Sequence, residues 1–130
     1  MIYLDSSALV TMVVERLHVG ALRTFLDAHG NEKLATSTIG MIETVRTCDR
    51  LGAPPNLMSR LIRDHLEITV TNLIRDAAAN VPGPVRSLDA IHIASAEALG
   101  RELTALVTYD KRMAETARDN GLPVAMPGLE

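Results

Sequence analysis

Apolar and polar positions follow two rhythms along this chain. Short runs of aliphatic and β-branched residues predict strands at Met1–Leu4, Lys33–Thr36, Glu67–Val70, Ala105–Thr108 and Pro123–Met126. Helical patterns lie between them. Ser6–Glu15 is continuously apolar after its two serines, as a buried crossover helix would be. Val19, Leu22 and Leu26 give one face of a second helix, which Gly30 is placed to end. Ile39, Ile42 and Val45 mark a third, stopped by Gly52 and the Pro54-Pro55 pair. Leu57, Met58, Leu61, Ile62 and Leu66 mark a fourth, with Arg60, Arg63 and Asp64 on its wet side. Thr71–Asn80, Ser87–Leu99 and Lys111–Asn120 complete the series, ended in turn by Pro82, Gly100 and Gly121.

Strands alternating with helices predict an α/β protein of three layers: a central parallel sheet of about five strands with helices on both faces. The stretch from Val45 to Leu66 carries two successive helices and no strand, and reads as a protruding helical hairpin. At 130 residues the chain suits one domain, residues 1–130. With only two Tyr, one Phe and no Trp, the core must be aliphatic. The single cysteine, Cys48, excludes an internal disulfide and a multi-cysteine zinc site, and lies in a helical pattern as a packed residue. No basic segment leads into an apolar stretch at the start. The longest run free of charged residues, Asn120 to Leu129, is too short to span a bilayer. A soluble, cytoplasmic protein without a membrane partner is expected. The net charge of −3 argues against binding nucleic acid by bulk charge.

The candidate chemistry lies in four acids at element ends: Asp5, Glu43, Asp89 and Asp110. Asp5 and Asp110 follow predicted strands, so parallel neighbours would deliver both carboxylates to the sheet edge where open α/β sheets bind ligands. Each acid has an ordinary explanation. Asp5 and Asp110 can cap helices, Asp89 favours the first turn of its helix, and Glu43 can pair with Arg46 at i,i+3. Together they repel: two carboxylates 4 Å apart cost about 4 kcal/mol at an effective dielectric of 20. Either one stays protonated or a divalent cation sits among them. Zinc-protease, phosphate-loop and dinucleotide motifs are missing. Ser6 and Ser7 have no activating base nearby in sequence. His92, between Ile91 and Ile93, reads as a packed histidine.

With these residues assembled, the chain resembles the PIN-domain ribonucleases, specifically VapC-type toxins of type II toxin–antitoxin pairs, nearly end to end. Met1-Ile2-Tyr3-Leu4-Asp5-Ser6-Ser7-Ala8-Leu9-Val10, with Glu15 further on, is similar to the family's first acidic motif. Ser37 and Glu43 are similar to the second, Arg86-Ser87-Leu88-Asp89-Ala90-Ile91-His92-Ile93-Ala94-Ser95-Ala96 to the third, and Leu106-Val107-Thr108-Tyr109-Asp110 to the fourth. Residues 49–84 carry little of the resemblance.

The resemblance implies a PIN-like fold and hydrolysis of RNA phosphodiester bonds with Mg²⁺ or Mn²⁺, leaving a 5′-phosphate and a 3′-hydroxyl. Asp5 and Asp89 would be the principal metal ligands, with Glu43 and Asp110 completing the pocket. Hydroxyls of Ser6, Ser7 and Thr108 would orient the carboxylates. It also implies inhibition by a VapB-like antitoxin and a homodimer. Arg46, Arg50 and Arg86 are candidate phosphate contacts by their nearness to the acidic motifs, and ion pairs on solvated faces explain them equally well. The apolar face from Leu57 to Leu66 suits packing within the hairpin or a groove for an antitoxin segment. Two other function classes stay open: another Mg²⁺-dependent phosphoryl-transfer domain (a receiver or a phosphatase), and a catalytically inactive PIN-like binding module.

Overall fold

Side chains alternate across a strand, and in this chain the alternation separates two cores. In β1 (Ile2–Leu4), Ile2 and Leu4 enter one hydrophobic cluster and Tyr3 the opposite one. In β4 (Ala105–Val107), Ala105 and Val107 share the first cluster and Leu106 the second. The sheet between them is therefore buried on both faces, as all-parallel sheets are. The computed structural model describes residues 1–130.

Five strands, β1, β2 (Leu34–Ser37), β3 (Leu66–Ile68), β4 and β5 (Val124–Ala125), form one parallel sheet in the order β3-β2-β1-β4-β5. Helices α1 (Ser6–Val14), α2 (Val19–Ala28), α3 (Thr38–Arg50) and α4 (Leu57–Asp64) supply the first cluster, including Leu9, Leu22, Met41 and Leu61. Helices α6 (Ser87–Glu97) and α7 (Lys111–Asp119) supply the second through Ile93, Ala96, Met113 and Ala117. Helix α5 (Asn72–Ala79) lies against α6. This is the three-layer α/β/α arrangement the strand and helix rhythms predict. Cys48 is buried, and burial pushes its thiol pKa up, consistent with a packed residue.

The edge strand β3 starts at Leu66 and ends at Ile68, rather than running from Glu67 to Val70. Its pairing with β2 begins as soon as α4 ends at the extended residue His65, and the chain then turns into the α5 cap at Thr71. In the α3–α4 hairpin, Leu57 and Leu61 are buried in the first core, whereas Leu51 and Ile62 are more than half exposed.

Strand ends are joined to helix starts by side-chain caps. The side chains of Asp5, Ser37, Thr71 and Asp110 accept hydrogen bonds from Ala8, Gly40, Ile74 and Met113 amides. Ser37 is fully buried, so no water replaces its hydroxyl. Ser37→Ala is expected to lower stability by about 1 kcal/mol, measured by denaturant titration. A neutral result would show that the cap adds nothing.

Candidate active site

The strand order reverses between β1 and β4. The chain adds β2 and β3 on one side of β1, then returns to place β4 and β5 on the other. Such a switch point opens a crevice at the carboxyl ends of the two strands. Asp5 follows β1 there and Asp110 follows β4 by three residues.

Three donors hold the Asp5 carboxylate. Its Oδ1 accepts from the Ala8 amide at 2.9 Å and the Ser7 hydroxyl at 2.7 Å, and its Oδ2 accepts from the Thr108 hydroxyl at 2.6 Å. Ser7 Oγ in turn accepts from the Tyr109 amide at 2.8 Å, and Thr108 Oγ1 from the Asp110 amide at 3.0 Å. Ser7 and Thr108 thus tie the start of α1 to the end of β4, with Asp5 between them. Ser6 makes no such bond; it lines the adjoining cleft. Capping and orientation are both served by Asp5, so the ordinary explanation and the chemical one hold together.

Asp89 lies in the first turn of α6, and Arg86 reaches across it. The guanidinium Nε is 3.6 Å from Asp89 Oδ2, and its Nη2 is 3.9 Å from Asp110 Oδ2. Arg86 is 78% exposed, so these ion pairs are screened and hold the acids weakly. Glu43 does not pair with Arg46. Its Oε1 lies 2.7 Å from Nε2 of His92, which is 1% exposed, and His92 Nδ1 lies 2.8 Å from the Tyr3 hydroxyl.

Burial raises the Asp5 carboxyl pKa, opposed by His92, by the Ser7 and Thr108 hydroxyls and by the Ala8 amide. Burial also raises Asp89, and the charges of Asp110 and then Glu43 push the same way, against Arg86 and His92. Mutual repulsion among acids is what a cation would relieve. The set offers hard oxygen donors, but no three acidic, histidine or cysteine side chains converge to enclose an ion by themselves. That matches a small hard cation, which uses one or two carboxylates and completes its shell with water and substrate phosphate. Asp5 and Asp89 offer carboxylate oxygens of this kind, and Asp110 and Glu43 lie near enough to Asp89 for their charges to raise its pKa.

A sequence model of the PIN domain matches residues 2–119. This chain belongs to the PIN domain family. Within it, the PIN domain is similar to Ribonuclease VapC47 of Mycobacterium tuberculosis (strain CDC 1551 / Oshkosh), 41% identical over 98% of each chain. Its fold is shared by the crystal structure of Mycobacterium tuberculosis VapC20, described as a sarcin-ricin loop cleaving toxin (TM-score 0.73, 17% identity, 98% of this chain and 100% of that one). It is shared also by VapBC2 of Rickettsia felis bound to a promoter DNA fragment (TM-score 0.70, 15% identity, 96% and 98%). The VapC relatives place the chain in the VapC group of the PIN domain family.

Beside Glu43 the PIN domain opens a cleft of about 510 Å³, lined by Ser6, Ile39, Ile42, Arg46, Arg50 and Leu88 among others. Arg46 and Arg50 are exposed and take no carboxylate partner, whereas Arg86 sits over Asp89 and Asp110. Glu15 is turned away, paired with Arg23 at 2.8 Å beside the apolar groove that includes Leu57 and Leu61. Sequence reasoning misses the chain of bonds from Tyr3 through His92 to Glu43. Its only local trace is a histidine set between two isoleucines, one helical turn after Asp89.

Proposed function

We propose that this protein is the toxin of a type II toxin–antitoxin pair, and that it hydrolyses RNA phosphodiester bonds with Mg²⁺ or Mn²⁺ at Asp5, Asp89, Glu43 and Asp110. The observation that carries the reading is the switch point, where Thr108 ties Asp5 to the amide of Asp110 and Asp89 lies close enough to Asp110 and Glu43 for their charges to raise its carboxyl pKa. A divalent cation held there supplies charge neutralisation at the attacked phosphate and acidifies the attacking water. The protein's own part is orientation. Thr108 and Ser7 fix the Asp5 carboxylate, and the caps of α1 and α7 fix the chain on either side. Arg46 and Arg50 line the cleft together with the acidic Glu43 and Asp49, and their guanidinium forks suit RNA phosphates flanking the reacting one. With three aromatic residues in the whole chain, recognition rests on backbone and shape more than on base stacking. The apolar groove of about 550 Å³ between α1 and the α3–α4 hairpin suits a segment of a VapB-like antitoxin. A homodimer and a cytoplasmic location complete the reading.

The test uses protein freed of any partner and a structured RNA. Cleavage is expected with Mg²⁺ or Mn²⁺, is lost on chelation, and leaves 5′-phosphate and 3′-hydroxyl ends. Cleavage that survives chelation, or that leaves a 3′-phosphate, rejects this reading. A second expectation follows from mass action, because a ligand of the folded state stabilises it. At ten times its dissociation constant the cation should add about 1.4 kcal/mol. A melting temperature that stays flat across a wide Mg²⁺ range counts against a preformed site.

A further inference from the structure

We propose that His92 is a positioning residue for Glu43: held by Tyr3 on one side, it donates its Nε2–H to the Glu43 carboxylate and fixes where that carboxylate stands in the acidic site. This deepens the ribonuclease reading and rests on it.

Three residues from three elements make the arrangement. Tyr3 comes from β1, Glu43 from α3 and His92 from α6, and the two links span 89 and 49 residues of sequence. Tyr3 is fully buried and His92 is 1% exposed, while the Glu43 side chain is 26% exposed. The chain of bonds therefore runs from the dry interior to the wall of the cleft. The directions follow from the donors each group has. Nδ1 is engaged by the Tyr3 hydroxyl at 2.8 Å, so Nε2 is the ring nitrogen that faces Glu43, at 2.7 Å. A carboxylate has only acceptors, so the match is complete.

Packing is arranged to permit this. Gly40 stands one helical turn before Glu43, and a Cβ built there would lie 3.2 Å from His92 Cε1 and 2.2 Å from Thr36 Oγ1. A bare backbone at this point lets α3 come close to the imidazole. A histidine that merely filled space would need neither a directed phenol nor a carboxylate at 2.7 Å.

His92 is buried too deeply to touch RNA, so its effect should appear in kcat and leave KM for RNA unchanged. Removing a group that orients a ligand typically lowers metal affinity or activity about tenfold to a hundredfold. His92→Asn and His92→Gln separate the two roles. A Gln amide nitrogen reaches the place of Nε2 and can still donate to Glu43, whereas an Asn amide reaches only the place of Nδ1. His92→Asn is expected to lower kcat and to weaken Mn²⁺ binding, measured by calorimetry, each about tenfold or more. His92→Gln should restore most of both. In a Glu43→Gln background, His92→Asn should cause no further loss of kcat. Nitrogen NMR of the metal-free wild type should show His92 protonated at Nε2, and Tyr3→Phe, which keeps the ring in place, should disturb that signal.

A folded His92→Asn with wild-type kcat and Mn²⁺ affinity overturns the proposal. So do equal losses in the Asn and Gln variants, additive losses with Glu43→Gln, or a ring whose Nε2 carries no proton. If the wild type cleaves no RNA with any cation, the ribonuclease reading fails, and the Mn²⁺ titration and the NMR signal still decide the role of His92.

Discussion

Asp89→Asn is expected to lower RNA cleavage at least about a hundredfold, a loss of about 2.7 kcal/mol of transition-state stabilisation, while making the metal-free protein more stable. Both effects come from one charge. Asp89 sits in the first turn of α6 with its carboxyl pKa raised by burial and by Asp110 and Glu43. An amide of the same shape keeps the fit and ends the repulsion, and it also ends the ability to hold a cation. The ion pair with Arg86 is long and exposed, so giving it up offsets little.

The pH dependence has a definite sign. A carboxyl whose folded pKa lies above its ordinary 3.8 binds more protons in the folded state than in the unfolded state within that window. Its contribution to stability is fully present below 3.8 and is lost as pH rises through the raised value. Metal-free wild type should show this decline in thermal melting, and Asp89→Asn should show less of it, keeping the part due to Asp5, and should respond less to Mg²⁺. A variant that cleaves at the wild-type rate, or that melts lower than wild type without metal at neutral pH, contradicts the assignment. Asp5→Asn makes a useful companion, since Asn is as good a helix cap as Asp and the fold should survive.

Gly40→Ala should destabilise the protein by about 2–3 kcal/mol, although Ala is the better helix former by about 1 kcal/mol. The added methyl would meet Thr36 Oγ1 at 2.2 Å, far inside van der Waals range, on a fully buried residue of β2 with nowhere to move. The offending hydroxyl forms no hydrogen bond of normal geometry, although it lies near enough to the Tyr3 phenol to lower its pKa, so removing it sacrifices little polar pairing. Thr36→Ala alone should cost about 1 kcal/mol for its buried methyl, and combined with Gly40→Ala it should recover much of the loss. The cycle of single and double variants should give a favourable coupling of about 1–2 kcal/mol by denaturant titration. Gly40→Ala at wild-type stability, or losses that simply add, would refute the close approach of α3 to β2.

The layering is legible in the sequence because its signals are local. Period-two and helical patterns, with glycine and proline stops, place every strand and helix to within a few residues. Asp5 and Asp110 announce themselves as acids directly after apolar runs. The arrangement around Glu43 is hidden. Arg46 stands nearer in sequence than His92 does, so an i,i+3 pair is the natural expectation; only the packing of α3 on α6 brings the imidazole closer. Tyr3 is hidden for the same reason, since a strand tyrosine signals a core and not which hydroxyl partner it finds. The arginines divide on geometry too. Arg86 turns to Asp89 and Asp110, while Arg46 and Arg50 stay unpaired along the cleft.

The crevice is founded on β1, the central strand, and its neighbour β4, through the hydroxyls of Ser7 and Thr108. Segments this deep in a domain open only when the whole molecule does, whereas peripheral loops loosen on their own. A reactive floor with such a foundation has no inexpensive relaxed form in which to rest. On the proposed function, silencing such a floor falls to a partner laid over its mouth rather than to a change within it.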